Sequence, residues 1–319
     1  MNVSEWPVTL FTVLTQLSVG AFIALGFINV MGRRYSSARV IDRVSYPALY
    51  AIGPIMVLAL VGSMFHMGNP FNSLNVIRHV GSSWLSLEIV FGVGFAGLGF
   101  AFAFVQWMGW FSPLLRNVLA SFTALWGLAF IFVTANVYLL PTVPAWNHWT
   151  TVAQFFLTAF ITGPLAVAVA LAAYPWIRRS RTLSRWMSRQ PVDFDSALET
   201  RVDRLITRCL RWVGVAAVTL LPVELVVILF NFMRGTGVNP PEHAFQMGWF
   251  VTRIVLIVVG AGLMGLYLTR LPDSPADAGV RSRSNRRVLT LVATSFTLVL
   301  VAEFIGRFMF YGANDRIGI

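Results

Sequence analysis

The chain of 319 residues has no lysine, a single cysteine, four histidines and few charges of any kind, with only 12% of its residues Asp, Glu or Arg. Each scarcity excludes something. One thiol, Cys209, forms no disulfide within the chain and ligates no iron–sulfur cluster or c-type haem by itself. With 57% hydrophobic residues and a mean hydropathy of +0.71, too little polar surface is left to face water, and the composition is that of a polytopic membrane protein. The basic surplus, a net charge of +11, is entirely arginine. Arginine-rich loops facing anionic lipid account for it, and no nucleic acid is required.

Apolar stretches of the roughly 20 residues that cross a bilayer run over 10–31, 46–67, 84–108, 114–140, 151–177, 212–232, 249–269 and 288–311. The expected fold is therefore an all-α integral membrane protein, one polytopic domain over 1–319 built as a bundle of eight transmembrane helices. No basic residue precedes the first run, and Arg33, Arg34, Arg39 and Arg43 follow it, so it reads as a retained helix with its N-terminus outside. On that topology both termini are on the outer (periplasmic) side. The inner loops with their flanks then hold nineteen of the twenty-four arginines, while Arg78, Arg234, Arg253, Arg307 and Arg316 fall on the outer side. The expected location is a bacterial or archaeal cytoplasmic (inner) membrane. The arginine-rich insertion 178–211 is expected to be cytoplasmic. Within it Leu198, Val202, Leu205, Ile206 and Leu210 at helical spacing predict an amphipathic helix lying at the headgroups. After the seventh run, LPDSPADAGVRSRSNRR reads as a flexible turn. Gly92, Gly94, Gly97 and Gly99 read as a face for close helix approach.

An ionisable group costs about 2.5–3.5 kcal/mol at the centre of a membrane helix on insertion scales, so each one asks for a reason. The second span runs outward and stops at His66, and the third starts outside with Glu88 about one turn in. Glu224 lies in the outer half of the sixth span and Arg253 one turn into the seventh, while Glu303, Arg307 and Tyr311 approach the exit of the eighth. His66, His79, His148 and His243 all flank outer loops. Each residue alone has a plain explanation. Glu303 and Arg307, four apart on one helix, can pair with each other; His66 can cap its helix before Gly68, Asn69 and Pro70; a first-turn Glu88 is favoured by the helix dipole. Capping and snorkelling do not require them all to share one depth on one side. Quinol oxidation does call for proton acceptors at the edge of an apolar site, because removing two electrons means removing two protons. No histidine lies mid-membrane, where a bis-histidine haem would need a pair, so the expectation is no haem and no metal in this protein, with electrons passing to a cluster in a partner on the outer face. Two rivals are a small-solute transporter, which usually has midplane charges and repeated halves, and an inert anchor whose polar groups serve only docking.

Four segments in order carry a resemblance: EWPVTLFTVLTQ at 5–16, HMGNP at 66–70 followed by VGSSWLSLE ending at Glu88, WFVTRIVL at 249–256 and AEFIGRFMFYG at 302–312. Together they resemble the membrane anchor subunit of dimethyl sulfoxide reductase, from the first span to the last. The resemblance implies a haem-free anchor that takes electrons from menaquinol and holds an iron–sulfur electron-transfer subunit and a molybdopterin catalytic subunit. The histidine of the H-x-G-x-P turn and the glutamate twenty-two residues later carry over as His66 and Glu88, the expected proton acceptors. Gly68, Pro70, Arg78, Arg253, Glu303, Arg307 and Tyr311 complete the expected quinone pocket and its orienting groups. Asn72 stands where the family carries an arginine, with Arg78 further along as a substitute, and the 178–211 insertion is longer than expected. Related anchors serve sulfite dehydrogenases that reduce quinone, which is the alternative direction of flow.

Overall fold

Prolines and glycines set several helix ends. Pro7 opens the first helix and Pro113 the fourth, where a missing N–H and a fixed φ cost nothing. Ser112 caps the fourth helix by accepting the Leu115 N–H at 3.4 Å, and Gly109, at φ 68°, ends the third in the left-handed conformation. The computed structural model describes residues 5–65, 79–177, 179–180, 196–234, 240–271 and 278–313. Its helices are α1 (Trp6–Gly32), α2 (Ala38–Met64), α3 (Trp84–Met108), α4 (Pro113–Val137), α5 (Trp149–Ile177), α6 (Ser196–Arg234), α7 and α8 (Ala278–Gly312). α7 runs over Pro240–Ile257, continues through a π turn at Val258–Leu263 and ends with Met264–Thr269. Eight helices are long and apolar enough to cross a membrane, and no strand occurs among the described residues.

α1 and α5 form the centre. α1 packs most extensively on α2 and α5; α3 and α4 make a hairpin; α6 packs on α5 and α7; α8 lies against α5 and α7 and touches α1. Lipid tails are as apolar as leucine, so helix association depends on close packing of small residues. Here the closest approach is Gly20 of α1 on Ala159 and Gly163 of α5: a Cβ on either glycine would overlap the other helix's backbone. Prolines at 47, 54, 164, 175 and 222 sit inside helices, as neighbouring helices permit in a membrane. At the π turn, the Ser295 hydroxyl donates to the Gly260 carbonyl at 2.6 Å.

Three expectations change. The stripe Leu198–Leu210 is not a separate helix on the headgroups: it is the start of α6, continuous with the sixth span, and Val202, Leu205, Ile206 and Leu210 are buried in the core. Leu205 reaches the space beside Gly32 and Ile41, so protein rather than lipid covers the stripe. Residues 178 and 181–195 of the insertion lie outside the described residues. Helices α2 and α8 begin at Ala38 and Ala278, earlier than their apolar runs, because helical hydrogen bonding continues where hydrophobicity stops. In the glycine face of α3, Gly92 and Gly94 admit the Phe130 and Trp126 rings of α4, whereas among the described residues nothing lies within 4 Å of a Cβ built at Gly97 or Gly99.

Gly163→Val should break the α1–α5 contact, with the melting temperature of the purified protein in detergent falling by the equivalent of about 1–3 kcal/mol or more. Gly97→Val should leave it unchanged.

Candidate functional site

The Gly20–Gly163 contact holds α1 and α5 so close that the polar side chains before it on each helix face α8. These are Thr12 and Gln16 on α1 and Gln154 and Thr158 on α5; opposite them on α8 are Glu303, Arg307 and Tyr311, four residues apart and hence on one helix face. Five acidic or basic side chains are buried at this end of the bundle: Glu88, Glu224, Arg253, Glu303 and Arg307 are each no more than 5% exposed.

Arg253 is the hub. Its Nη2 lies 3.1 Å from Glu224 Oε1 on α6 and 3.7 Å from Glu303 Oε2 on α8. Gln154, with its amide oriented to satisfy its donors, accepts from Arg253 Nη1 and Nη2 at 2.9 and 3.1 Å. Glu303 Oε2 also accepts from the Thr158 hydroxyl at 2.6 Å. Space for the guanidinium comes from Gly306, where a Cβ would lie 2.6 Å from Arg253 Nη1. Arg307, one turn beyond Glu303, donates to Gln16 Oε1 at 2.8 Å and stacks over the Phe155 ring, its Cζ 3.8 Å from the centroid. In this cluster the two carboxylates Glu224 and Glu303 balance the two guanidiniums Arg253 and Arg307, as low dielectric demands.

Toward the end of the bundle the cluster becomes hydroxylic. Tyr311 Oη lies 3.2 Å from Thr12 Oγ1 and 3.1 Å from Tyr138 Oη. Trp146 closes the end above them, donating from Nε1 to the Phe310 carbonyl at 2.6 Å. His148, in the α4–α5 connection, has Nδ1 2.9 Å from Thr150 Oγ1 and stacks on Phe230; partial desolvation and the Arg234 charge hold its pKa below the usual histidine value. On the far side of Tyr138, Glu88 of α3 faces Thr134 of α4 without closing a direct hydrogen bond, within electrostatic reach of Tyr138 and Tyr311. One turn before Glu88 on α3, Trp84 and Leu85 are exposed, at 46% and 53%.

The structure thus joins Arg253, Glu303, Arg307 and Tyr311 in one cluster, with Glu88 at its edge. His66, Gly68, Pro70 and Arg78 lie outside the described residues, as does Asn72. Glu303 and Arg307 do not simply pair along their own helix; each turns to a partner on another helix. Sequence reading missed Thr12, Gln16, Thr134, Tyr138, Gln154 and Thr158. Their signal was available: a glutamine in an apolar helix with a threonine four residues away, at 12/16 and 154/158. Seven buried polar atoms in the cluster have no partner among the described residues: Gln16 Nε2, Glu88 Oε1, Thr134 Oγ1, Glu224 Oε2, Arg253 Nε, Glu303 Oε1 and Arg307 Nη1. Buried polar atoms left open in this way call for water or a ligand.

Eight membrane-length helices gathered around a charge-balanced polar cluster at one end define an integral membrane protein with a polar site set in apolar surroundings. Residues 1–186, which contain the first five helices, match the family described as DMSO reductase anchor subunit (DmsC). The protein is 27% identical over 315 residues to the anaerobic dimethyl sulfoxide reductase component YnfH of Escherichia coli (strain K12), with 99% of this sequence and 96% of that one covered. It is 28% identical over 327 residues to a second anaerobic dimethyl sulfoxide reductase component of the same organism, again with 99% and 96% covered. A shorter similarity, 26% over 185 residues and spanning 53% and 55% of the two sequences, is to a sulfite dehydrogenase subunit of Allochromatium vinosum. The protein belongs to the DMSO reductase anchor-subunit family: it is the multi-span membrane anchor of a multi-subunit redox complex.

Arg253→Leu should leave Glu224 and Glu303 buried without their shared counter-ion and destabilise the protein by about 3–5 kcal/mol. The triple change Arg253→Leu, Glu224→Leu, Glu303→Leu should recover most of that loss in detergent unfolding. An equal loss in both would contradict the pairing.

Proposed function

We propose that the protein is the haem-free anchor of a molybdopterin iron–sulfur oxidoreductase in a bacterial cytoplasmic membrane, and that it oxidises menaquinol at Glu88 and passes the electrons to a docked iron–sulfur subunit. The observation that carries this reading is the position of Glu88: a buried carboxyl with one oxygen that has no partner among the described residues, one turn from the exposed Trp84 and Leu85 on the α3–α4 hairpin. A quinol diffusing in lipid reaches this edge sideways without crossing the bundle. The residues present suit a hydroquinone head group. Glu88 Oε1 and the Thr134 hydroxyl have no partner among the described residues, and the Trp84 and Phe132 rings, 6.5 Å apart, give an apolar flank.

Bound there, a quinol supplies two electrons and two protons. Glu88 takes a hydrogen bond from one hydroxyl and then its proton, and the neighbouring Thr134 hydroxyl is a further partner for the head group. His66, which ends the second span in the sequence, receives the second proton. Arg253, Glu303 and Arg307 act at a distance, fixing α8 so that Tyr311 and Tyr138 stay beside Glu88. The arginine asymmetry of the loops supports an outward-facing cluster and outer termini. A catalytic partner on that same side would consume the protons where they are released, so turnover would be electroneutral. The similarity to a sulfite dehydrogenase subunit favours one second reading: the same site run in reverse, reducing quinone with electrons from a sulfur-compound dehydrogenase.

Glu88→Gln and His66→Ala should each lower quinol-dependent turnover about 100-fold or more, as expected for lost proton acceptors, while the complex still assembles and still turns over with a dye electron donor. Full quinol-dependent turnover in both variants would sink the proposal. A membrane potential built during turnover would refute the electroneutral arrangement.

A further inference from the structure

The α1 motif EWPVTLFTVLTQ carries a polar stripe whose outer half, Glu5 and Thr9, neither fold nor quinol site accounts for. Glu5, Thr9, Thr12 and Gln16 follow one another at spacings of four, three and four, which puts them on one helix face. The stripe leads from the end of the helix inward: Glu5 is half-buried, and Thr9, Thr12 and Gln16 are buried. Its inner end is closed by Arg307 on Gln16, and its middle meets Tyr311 at Thr12. We propose that this stripe, with the hydroxyls of Tyr138 and Tyr311, is the path by which protons leave Glu88 for the outer surface, with Glu5 as the terminal carboxylate.

This rests on the quinol reading of Glu88. The hydroxyls are hydrogen-bonded in series: Tyr138 to Tyr311 at 3.1 Å, Tyr311 to Thr12 at 3.2 Å. The Thr12 hydroxyl donates to the Val8 carbonyl at 2.9 Å, which leaves its oxygen free to accept from Tyr311. All three donors can therefore point toward α1, and the open Glu88 Oε1, with no partner among the described residues, leaves the step from Glu88 to Tyr138 to a water. The next polar atom outward, Thr9 Oγ1, is fully buried and has no partner among the described residues. A threonine serving only the helix would bond its own carbonyls, as Thr12 and Thr15 do. The unpaired Thr9 hydroxyl marks a place for water, and the turn between neighbours on the stripe, about 5–6 Å between Cβ atoms, is a gap one water bridges. Burial pushes the Glu5 carboxyl above the usual carboxylate range, which suits a group that must take a proton before releasing it. On the inner side Arg307 presents a fixed positive charge, which repels a proton and leaves the outward direction open.

The step conserves atoms and charge. Each hydroxyl accepts one proton and releases another, Glu88 returns to its carboxylate, Glu5 delivers one proton to water, and the electrons go to the iron–sulfur subunit. The test is made on the assembled complex in membrane vesicles, with Glu5→Gln and Thr9→Val beside Glu88→Gln. It reads short-chain naphthoquinol oxidation in H2O and D2O, together with the affinity of a non-oxidisable hydroxyquinoline as quinol analogue. The expected result is turnover reduced roughly tenfold in the two stripe variants, less than the ~100-fold of a direct acid–base group, with a larger solvent isotope effect and unchanged analogue affinity. Parental rate and isotope effect in both, beside an inactive Glu88→Gln, would overturn the path alone. Slowed turnover with lost analogue affinity would also overturn it, since that is the mark of a packing role. Parental activity in Glu88→Gln would remove the quinol site, and the path with it.

Discussion

Arg253 binds two carboxylates from two other helices in a place where water cannot take either partner. Glu224, Glu303 and Gln154 all converge on its guanidinium, and in hydrocarbon an unpaired member of such a set is far costlier than in water. That constraint locks α6, α7 and α8 to a common depth and ties them to α5. The details around it serve the same end. Gly306 leaves room for the guanidinium, Thr158 satisfies Glu303 from a further helix, and Ser295 takes up the Gly260 carbonyl at the π turn of α7. A π turn inside a helix frequently accompanies a functional site.

The second half of the scaffold is apolar. Gly20 and Gly163 allow two backbones to touch, and this is what brings Gln16 and Gln154, on different helices, to opposite sides of the α8 ladder. Arg307 then joins the two halves, held by Gln16 below and the Phe155 face beside it. Function and stability are coupled here. The groups that hold the bundle together are one helical turn from the tyrosines within electrostatic reach of Glu88, so their rigidity sets the surroundings of that carboxyl.

Much of this was legible in sequence, unevenly. The spans were readable because eight apolar runs of bilayer length are statistically unmistakable, but their ends were not. α6 begins at Ser196 rather than Trp212, since arginines on one face do not stop a helix whose other face is buried. The charged members of the cluster stood out because charge in an apolar run is rare. The uncharged members did not: Thr12, Gln16, Gln154 and Thr158 resemble ordinary helix residues until their partners are known. The glycines of α3 misled in part, because spacing shows which residues share a face but not what packs on it.

By itself, the sequence determined that the protein carries eight helical runs long and apolar enough to cross a membrane, and that the charges within them collect near one end. Both follow from transfer free energy, which is a property of residues in order along one segment. Only the tertiary structure decided which charge pairs with which: Glu303 with Arg253 rather than with Arg307 on its own helix, and Arg307 with Gln16 across 291 positions of sequence. Such pairing is set by the rotation and depth of each helix, and these depend on contacts as small as a missing Cβ, which no single helix encodes.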